Sequence, residues 1–227
     1  MKAKDLKNSI LQMAVEGKLV PQDPSDEPAS VLLERIREEK HRLIAEGKAK
    51  FPKGGESIIY IGSDGSPYEK RVDAKGHVLN DKCIADEVPF EELPEGWAWV
   101  RLEEIGDWKA GATPAKSRPE YYANGTIPWL LTGDLNDGII DEIPSNITEQ
   151  ALKECSVRLN PAGSVLIAMY GATIGKIGVL GIPATTNQAC CACILHDEAI
   201  RGWLATWLLS YKPRFVKLGM GGAQPNI

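Results

Sequence analysis

Four stretches of this chain hold residue types from which chemistry could be built. Gly171-Ala172-Thr173-Ile174-Gly175-Lys176 superficially suggests a phosphate-cradling loop. Such a loop needs four residues between its glycines and a Ser or Thr after the lysine to hold magnesium, whereas here three residues intervene and Ile177 follows. The segment reads better as a glycine-bearing turn between two core strands. Asn160-Pro161-Ala162-Gly163 begins like the motif with which amino-methyltransferases grip a flipped base, but it lacks the second proline and the stacking ring. Cys190, Cys191 and Cys193 with His196 are soft-metal ligand types. Neighbouring strand residues point to opposite faces, so these are read as buried strand cysteines and no metal site is assigned. No glycine-rich S-adenosylmethionine loop follows a strand, and no Asp with Glu-x-Lys is spaced to hold magnesium for phosphodiester cleavage, so no catalytic residue is assigned.

The fourth stretch, Lys109 to Tyr122, mixes cations (Lys109, Lys116, Arg118), hydroxyls (Thr113, Ser117) and tyrosines (Tyr121, Tyr122). Cations suit phosphates, and hydroxyls suit base edges or the sugar-phosphate backbone. The same composition describes an ordinary solvated loop, and the residues alone leave both readings open.

The elements that must position these groups fall into three parts. Near residues 4–16, Leu6, Ile10, Met13 and Ala14 share one helical face, and Gly17 fits a left-handed C-terminal position. Pro28 starts a second helix in which Ala29, Leu32, Leu33, Ile36, Lys40 and Leu43 form a narrow stripe interrupted by charge. Such a stripe wants a partner helix, with packing onto the chain's own domain as the alternative. Residues 1–50 are thus a helical arm. Residues 51–92 form a linker with a hairpin around Gly62-Ser63-Asp64-Gly65-Ser66.

Residues 93–227 carry short segments rich in β-branched and aromatic residues: Trp99–Leu102, Ile127–Leu131, Ser164–Met169, Lys176–Leu180 and Cys190–Leu195. Two helices interrupt them, one over residues 148–153 and one from about Glu198 to Tyr211, stopped by Pro213. Trp203, Trp207, Tyr211 and Phe215, four residues apart, read as its core face. The fold class expected is α+β, a helical arm followed by a domain with a bent, mostly antiparallel sheet and a few helices.

Composition sets limits on function. With 43% hydrophobic and 25% charged residues, the 227-residue chain has a soluble globular balance. No apolar run approaches a membrane span, and the charged amphipathic start is unlike a signal peptide. Together with five cysteines in no disulfide spacing, this suggests a cytoplasmic protein without membrane partners. A net charge of −5 argues against a generic DNA-coating protein. Its distribution is more favourable: no acidic residue follows Glu198, while Arg201, Lys212, Arg214 and Lys217 do.

Three phrases decide between the open readings: Leu93-Pro94-Glu95-Gly96-Trp97-Ala98-Trp99-Val100-Arg101-Leu102, then Gly163 through Lys176, then Ala184-Thr185-Thr186-Asn187-Gln188-Ala189, with Gly111-Ala112-Thr113-Pro114 between the first two. In this order they resemble the target-recognition domain of the DNA specificity subunit of type I restriction-modification systems. Leu6 through Pro24, leading into Ala29 through Ile36, is similar to the family's conserved helical region. The resemblance implies a non-catalytic subunit that reads one half of a bipartite duplex target and docks modification subunits. The duplex would meet Lys109, Thr113, Lys116, Ser117, Arg118 and Tyr121 together with Tyr170, Thr173 and Lys176, and protein partners would meet Leu32, Leu33, Ile36 and Leu43. It implies that this chain binds no cofactor: S-adenosylmethionine would belong to the modification subunits, ATP to a restriction subunit that is also a partner, and magnesium to the partner subunits. Members typically have two recognition domains and two helical regions, and this chain has one of each, which suggests a half-subunit that self-associates, or a fragment whose domain stops short at Ile227. The other readings are an orphan half-subunit that competes for partners without reading DNA, and a methyltransferase or nuclease fragment.

Overall fold

The structure is a computed structural model that describes residues 3–90 and 92–219; the segment after Gly219, where the domain was expected to stop short, lies outside them. The chain divides into two compact units, one being Gln12–Gly106, the other running from Asp107 onward and including the start of the chain through Leu11.

Helix α1 (Ala3–Val15), whose residues fall on both sides of that division, gives way at Gly17, whose φ of 67° is the left-handed turn expected there. Helix α2 (Ala29–Ala45) starts directly after Pro28. Strands β1 (Glu56–Ile61), β2 (Pro67–Val72) and β3 (Val78–Cys83) form an antiparallel meander in that order. The expected hairpin therefore gains a third strand. A second tight turn makes it, where the Asp73 amide donates to the His77 carbonyl at 2.9 Å and Gly76 takes a φ of 81°.

The stripe on α2 is not an open seam. Ile36 is buried, and with Leu33 it lines a small gap shared with Ser57, Ile59, Trp99 and Val100. Leu32, Leu33 and Leu43 are half-buried. Beneath them lies an ion cluster. The buried Lys40 ammonium pairs with Glu104 and stands 3.4 Å from Glu56, and His41 Nε2 lies 3.0 Å from the same Glu56 carboxylate. The amide of Ser57 donates to Glu104 at 2.7 Å. Trp99–Leu102 is not a strand: Trp99 tilts against Phe90, and Arg101 turns to Glu69 and Glu87, both at 2.6 Å. These contacts tie residues 93–106 to the helix and meander, within the Gln12–Gly106 unit.

Burial by itself raises the Glu69 carboxyl, but Arg101 and the Ser57 hydroxyl outweigh it and hold the group at about 2, below its ordinary 4.5. A folded-state value below the unfolded one adds stability above pH 4.5 that is lost as pH falls toward 2. Thermal melts across that window are expected to fall for the wild type and to fall less for Glu69→Gln; parallel profiles would remove Glu69 as the cause.

In the second unit, in chain order, are β4 (Gly106–Ala110), β5 (Ile127–Leu130), β6 (Ile139–Ile140), β7 (Asn146–Ile147), α3 (Glu149–Glu154), β8 (Val165–Ala168), β9 (Ile177–Leu180), β10 (Thr185–Thr186), β11 (Cys190–Leu195) and α4 (Arg201–Leu218). Their sheets run β4-β11-β8-β9-β6 and β10-β5-β7, with parallel pairing at β6/β9 and β10/β5 and antiparallel pairing at β11/β8, β8/β9 and β5/β7. The α+β class is as expected. Leu130, Leu135, Leu166 and Leu180 build the core with Cys190, and burial pushes the Cys190 and Cys193 thiols up to about 12.

Helix α4 does not stop at Pro213 but continues to Leu218. On either side of the proline, Lys212 pairs with Asp137 at 2.6 Å and Phe215 packs close to Gly175, and these contacts hold a turn that has lost one backbone bond. Its core face is Leu204 and Leu208. Trp203, Trp207, Tyr211 and Phe215 instead stack along a flank, with Trp203 exposed and the others half-buried, because four-residue steps drift around a helix of 3.6 residues per turn. No described helix is long and apolar enough to cross a membrane.

Candidate nucleic-acid interface

Strand direction brings four loops to one end of the two sheets in the second unit. Leaving β4, Gly111 donates its amide to the Cys190 carbonyl and Ala112 to the Thr186 carbonyl, both at 3.0 Å. Leaving β8, Met169 donates to Ala189 at 2.8 Å, and the turn that follows returns to β9 with the Gly175 amide on Ala168 at 3.0 Å. Asn187, after β10, donates to Leu130 at the end of β5, and Asp137, before β6, donates to Ile177 at the start of β9. Residues 111–118, 131–138, 170–176 and 187–189 therefore form one rim.

Gly111 makes this possible, since a Cβ there would fall inside van der Waals contact of the Thr186 carbonyl and hydroxyl and 2.5 Å from the Asn187 carbonyl. From that close approach the loop rises and is tied at several points. The Thr113 hydroxyl donates to Gln188, the Tyr122 hydroxyl to the Pro114 carbonyl, and Trp129 Nε1 to the Ala112 carbonyl at 3.2 Å. Ala115, Lys116 and Ser117 at the tip are exposed.

The residues expected at the interface separate into two groups. Lys109, on β4, is exposed. Lys116 and Ser117 are exposed at the tip, Tyr170 is exposed on the 170–176 turn, and Thr173 and Lys176 are half-buried there. Thr173 donates to the Tyr170 carbonyl at 3.2 Å, which tightens that turn. Thr113 is half-buried in its bond to Gln188. Arg118 and Tyr121 differ from these. Tyr121 is 4% exposed, and its hydroxyl donates to Glu154 at 2.8 Å; burial and that carboxylate push it up to about 12. The Arg118 guanidinium lies over the Tyr121 ring at 4.2 Å, bonds the Tyr121 hydroxyl, and reaches Glu120 at 2.7 Å and Glu154 at 3.2 Å.

Asn187 and Gln188 were part of a telling phrase in the sequence, yet nothing in their types marked them as rim residues. Gln188 is exposed and bonded to Thr113, and Thr186 Oγ1 and Asn187 Oδ1 are buried without a hydrogen-bond partner among the described residues. The signal that could have found them was the glycine at 111, a place where one loop must touch another. Asp137 closes the rim with a φ of 60°, accepting from the Ile177 amide at 3.0 Å as well as from Lys212. Burial alone would raise its carboxyl, but Lys212 and the amide hold it below the usual range. Among the described residues no group of three or more His, Cys, Asp or Glu side chains is placed to hold a metal ion.

Comparison with known proteins gives one family. The model of the type I restriction modification DNA specificity domain matches residues 94–227. The chain is similar to the Type I restriction enzyme EcoAI specificity subunit of Escherichia coli, 46% identical over 134 residues, which is 59% of this chain and 18% of that protein. It is similar to the EcoEI specificity subunit of Escherichia coli, 42% identical over 102 residues (45% of this chain, 13% of that protein). The MjaIX specificity subunit of Methanocaldococcus jannaschii is 34% identical over 121 residues (52% and 28%). The chain thus spans less than a third of the length of these relatives. Among solved structures, the HsdS subunit from Thermoanaerobacter tengcongensis aligns with 56% of this chain and 30% of its own, at 27% identity and a TM-score of 0.44.

Proposed function

The chain belongs to the family of type I restriction modification DNA specificity domains, and from that premise we propose that it reads one half of a bipartite duplex target and does no chemistry itself. The observation that carries this reading is the rim, where four loops from separate strands present cations and hydrogen-bonding side chains together. Lys109, Lys116 and Lys176 would meet phosphates; Thr113, Ser117, Tyr170, Thr173 and Gln188 would set loop shape or reach base edges. The helical arm would dock modification subunits through Leu32, Leu33 and Leu43, with Ile36 supporting that face from within. Methyl transfer would use S-adenosylmethionine on those subunits, ATP would be used by the restriction subunit, and magnesium would be held on partner subunits. We place the assembly in the cytoplasm, where free thiols persist.

The test is methylation of a randomised duplex library by the modification subunits of the same system, with and without this chain. A sequence-restricted pattern that needs the chain is expected. Lys116→Ala with Lys176→Ala should weaken binding evenly across sequences and lower the log–log salt slope by about two units. A methylation pattern indifferent to the chain would overturn the reading. The net charge of −5 motivates a second one, a half-subunit that competes for modification subunits without touching DNA; DNA affinity that does not change when this chain joins them would favour it.

A further inference from the structure

The rim contains one cation whose surroundings do not suit a phosphate contact. We infer that Arg118 is a positioning residue, a strut that fixes the loop tip Ala115–Ser117 on the rim, and that Lys116 at that tip, not Arg118, meets the duplex. The inference rests on the DNA-reading function proposed above and names which part of that site does the contacting.

Arg118 is half-exposed, but its guanidinium is engaged by protein groups. Its guanidinium covers the face of the Tyr121 ring at 4.2 Å, bonds the Tyr121 hydroxyl, and is bracketed by Glu120 at 2.7 Å and Glu154 at 3.2 Å. A planar guanidinium with its donors on two carboxylates and its face on an aromatic ring is held at fixed orientation, which a flexible ammonium cannot reproduce. A phosphate approaching it would meet two negative charges first. Tyr121 is buried and its hydroxyl also bonds Glu154, so the strut is anchored in helix α3. The Arg118 amide donates to the Ala115 carbonyl at 3.0 Å, closing the turn that lifts Lys116 and Ser117 outward. From Ala115 to Ser117 the side chains are exposed.

A strut and a phosphate contact predict opposite results. The experiment uses the chain assembled with the modification subunits of its own system and duplexes enriched from a random library by the wild type. As a strut, Arg118→Ala should weaken binding to the enriched duplexes by roughly tenfold and blur their sequence preference while the salt slope stays unchanged, since no counterion-releasing contact is lost. Arg118→Lys should fail in the same way, because it keeps the charge and loses the planar fork. Should Arg118→Ala not fold, Arg118→Lys carries the comparison alone. A salt slope lower by about one unit in Arg118→Ala, rescue by Arg118→Lys, or tighter binding by Glu154→Gln would each overturn the inference. Unchanged affinity and preference in both Arg118 variants would overturn it too. If the wild-type assembly itself enriches no sequence, it is the proposed function that fails.

Discussion

Lys40→Met should destabilise the Gln12–Gly106 unit by about 3–5 kcal/mol, the range for removing one partner of a buried charge pair. Lys40 is 5% exposed, and it faces two carboxylates, Glu56 at 3% and Glu104 at 7%. With the ammonium gone, both would remain buried, and among the described residues the half-exposed His41 ring would be left at Glu56 and the Ser57 amide at Glu104. Urea unfolding of the two forms gives the difference directly. Adding Glu104→Gln to Lys40→Met should recover part of the loss, because the amide oxygen still accepts from Ser57 and no unpaired charge is left at that position. A cost below about 1 kcal/mol would mean that water reaches the cluster and that α2 is held by its apolar contacts alone.

That cluster also shows where the sequence was legible and where it was not. In a helix, Lys40 reads as one more charge interrupting an apolar stripe, and the stripe reads as a seam for a partner. Its carboxylates lie 16 and 64 positions further along the chain, and no local pattern pairs them with it. Local rules did foresee Gly17, a short helix near residues 148–153, and the apolar runs of β5, β8, β9 and β11. They failed where side chains were committed to distant partners. Trp99–Leu102 has strand-like residues, but Arg101 and Trp99 are taken up by Glu69 and Phe90. Pro213 should end a helix, but Lys212 and Phe215 carry α4 past it through their contacts with Asp137 and Gly175. At the rim, residue type identified Lys116 and Lys176 as candidate cations. It could not separate them from Arg118, because Glu154, which ties Arg118 down, comes 36 residues later on a different element.

Gly111→Ala is expected to be the single methyl group with the largest consequence for recognition. The new Cβ would press into the Thr186 carbonyl and hydroxyl and stand 2.5 Å from the Asn187 carbonyl. Two of those three atoms are backbone of the segment that links β10 to β11, and that segment is pinned by the Asn187 amide on Leu130. It cannot give way without disturbing the sheet, so the loop must lift instead. The Ala112 amide would then leave the Thr186 carbonyl, and the Thr113 hydroxyl would leave Gln188. Overpacking of this kind costs about 1–3 kcal/mol, and the displaced tip would carry Lys116 and Ser117 away from the turn that holds Tyr170 and Lys176. The expected result is a lowered melting temperature together with loss of sequence preference in the methylation assay. Gly202→Ala, at a helical position with open space around it, serves as the control and should keep the preference without lowering the melting temperature. If Gly111→Ala keeps the wild-type preference while melting earlier, the loop is a support of the fold and the bases are read from elsewhere on the rim. If it changes neither, the close approach at residue 111 does not hold in solution.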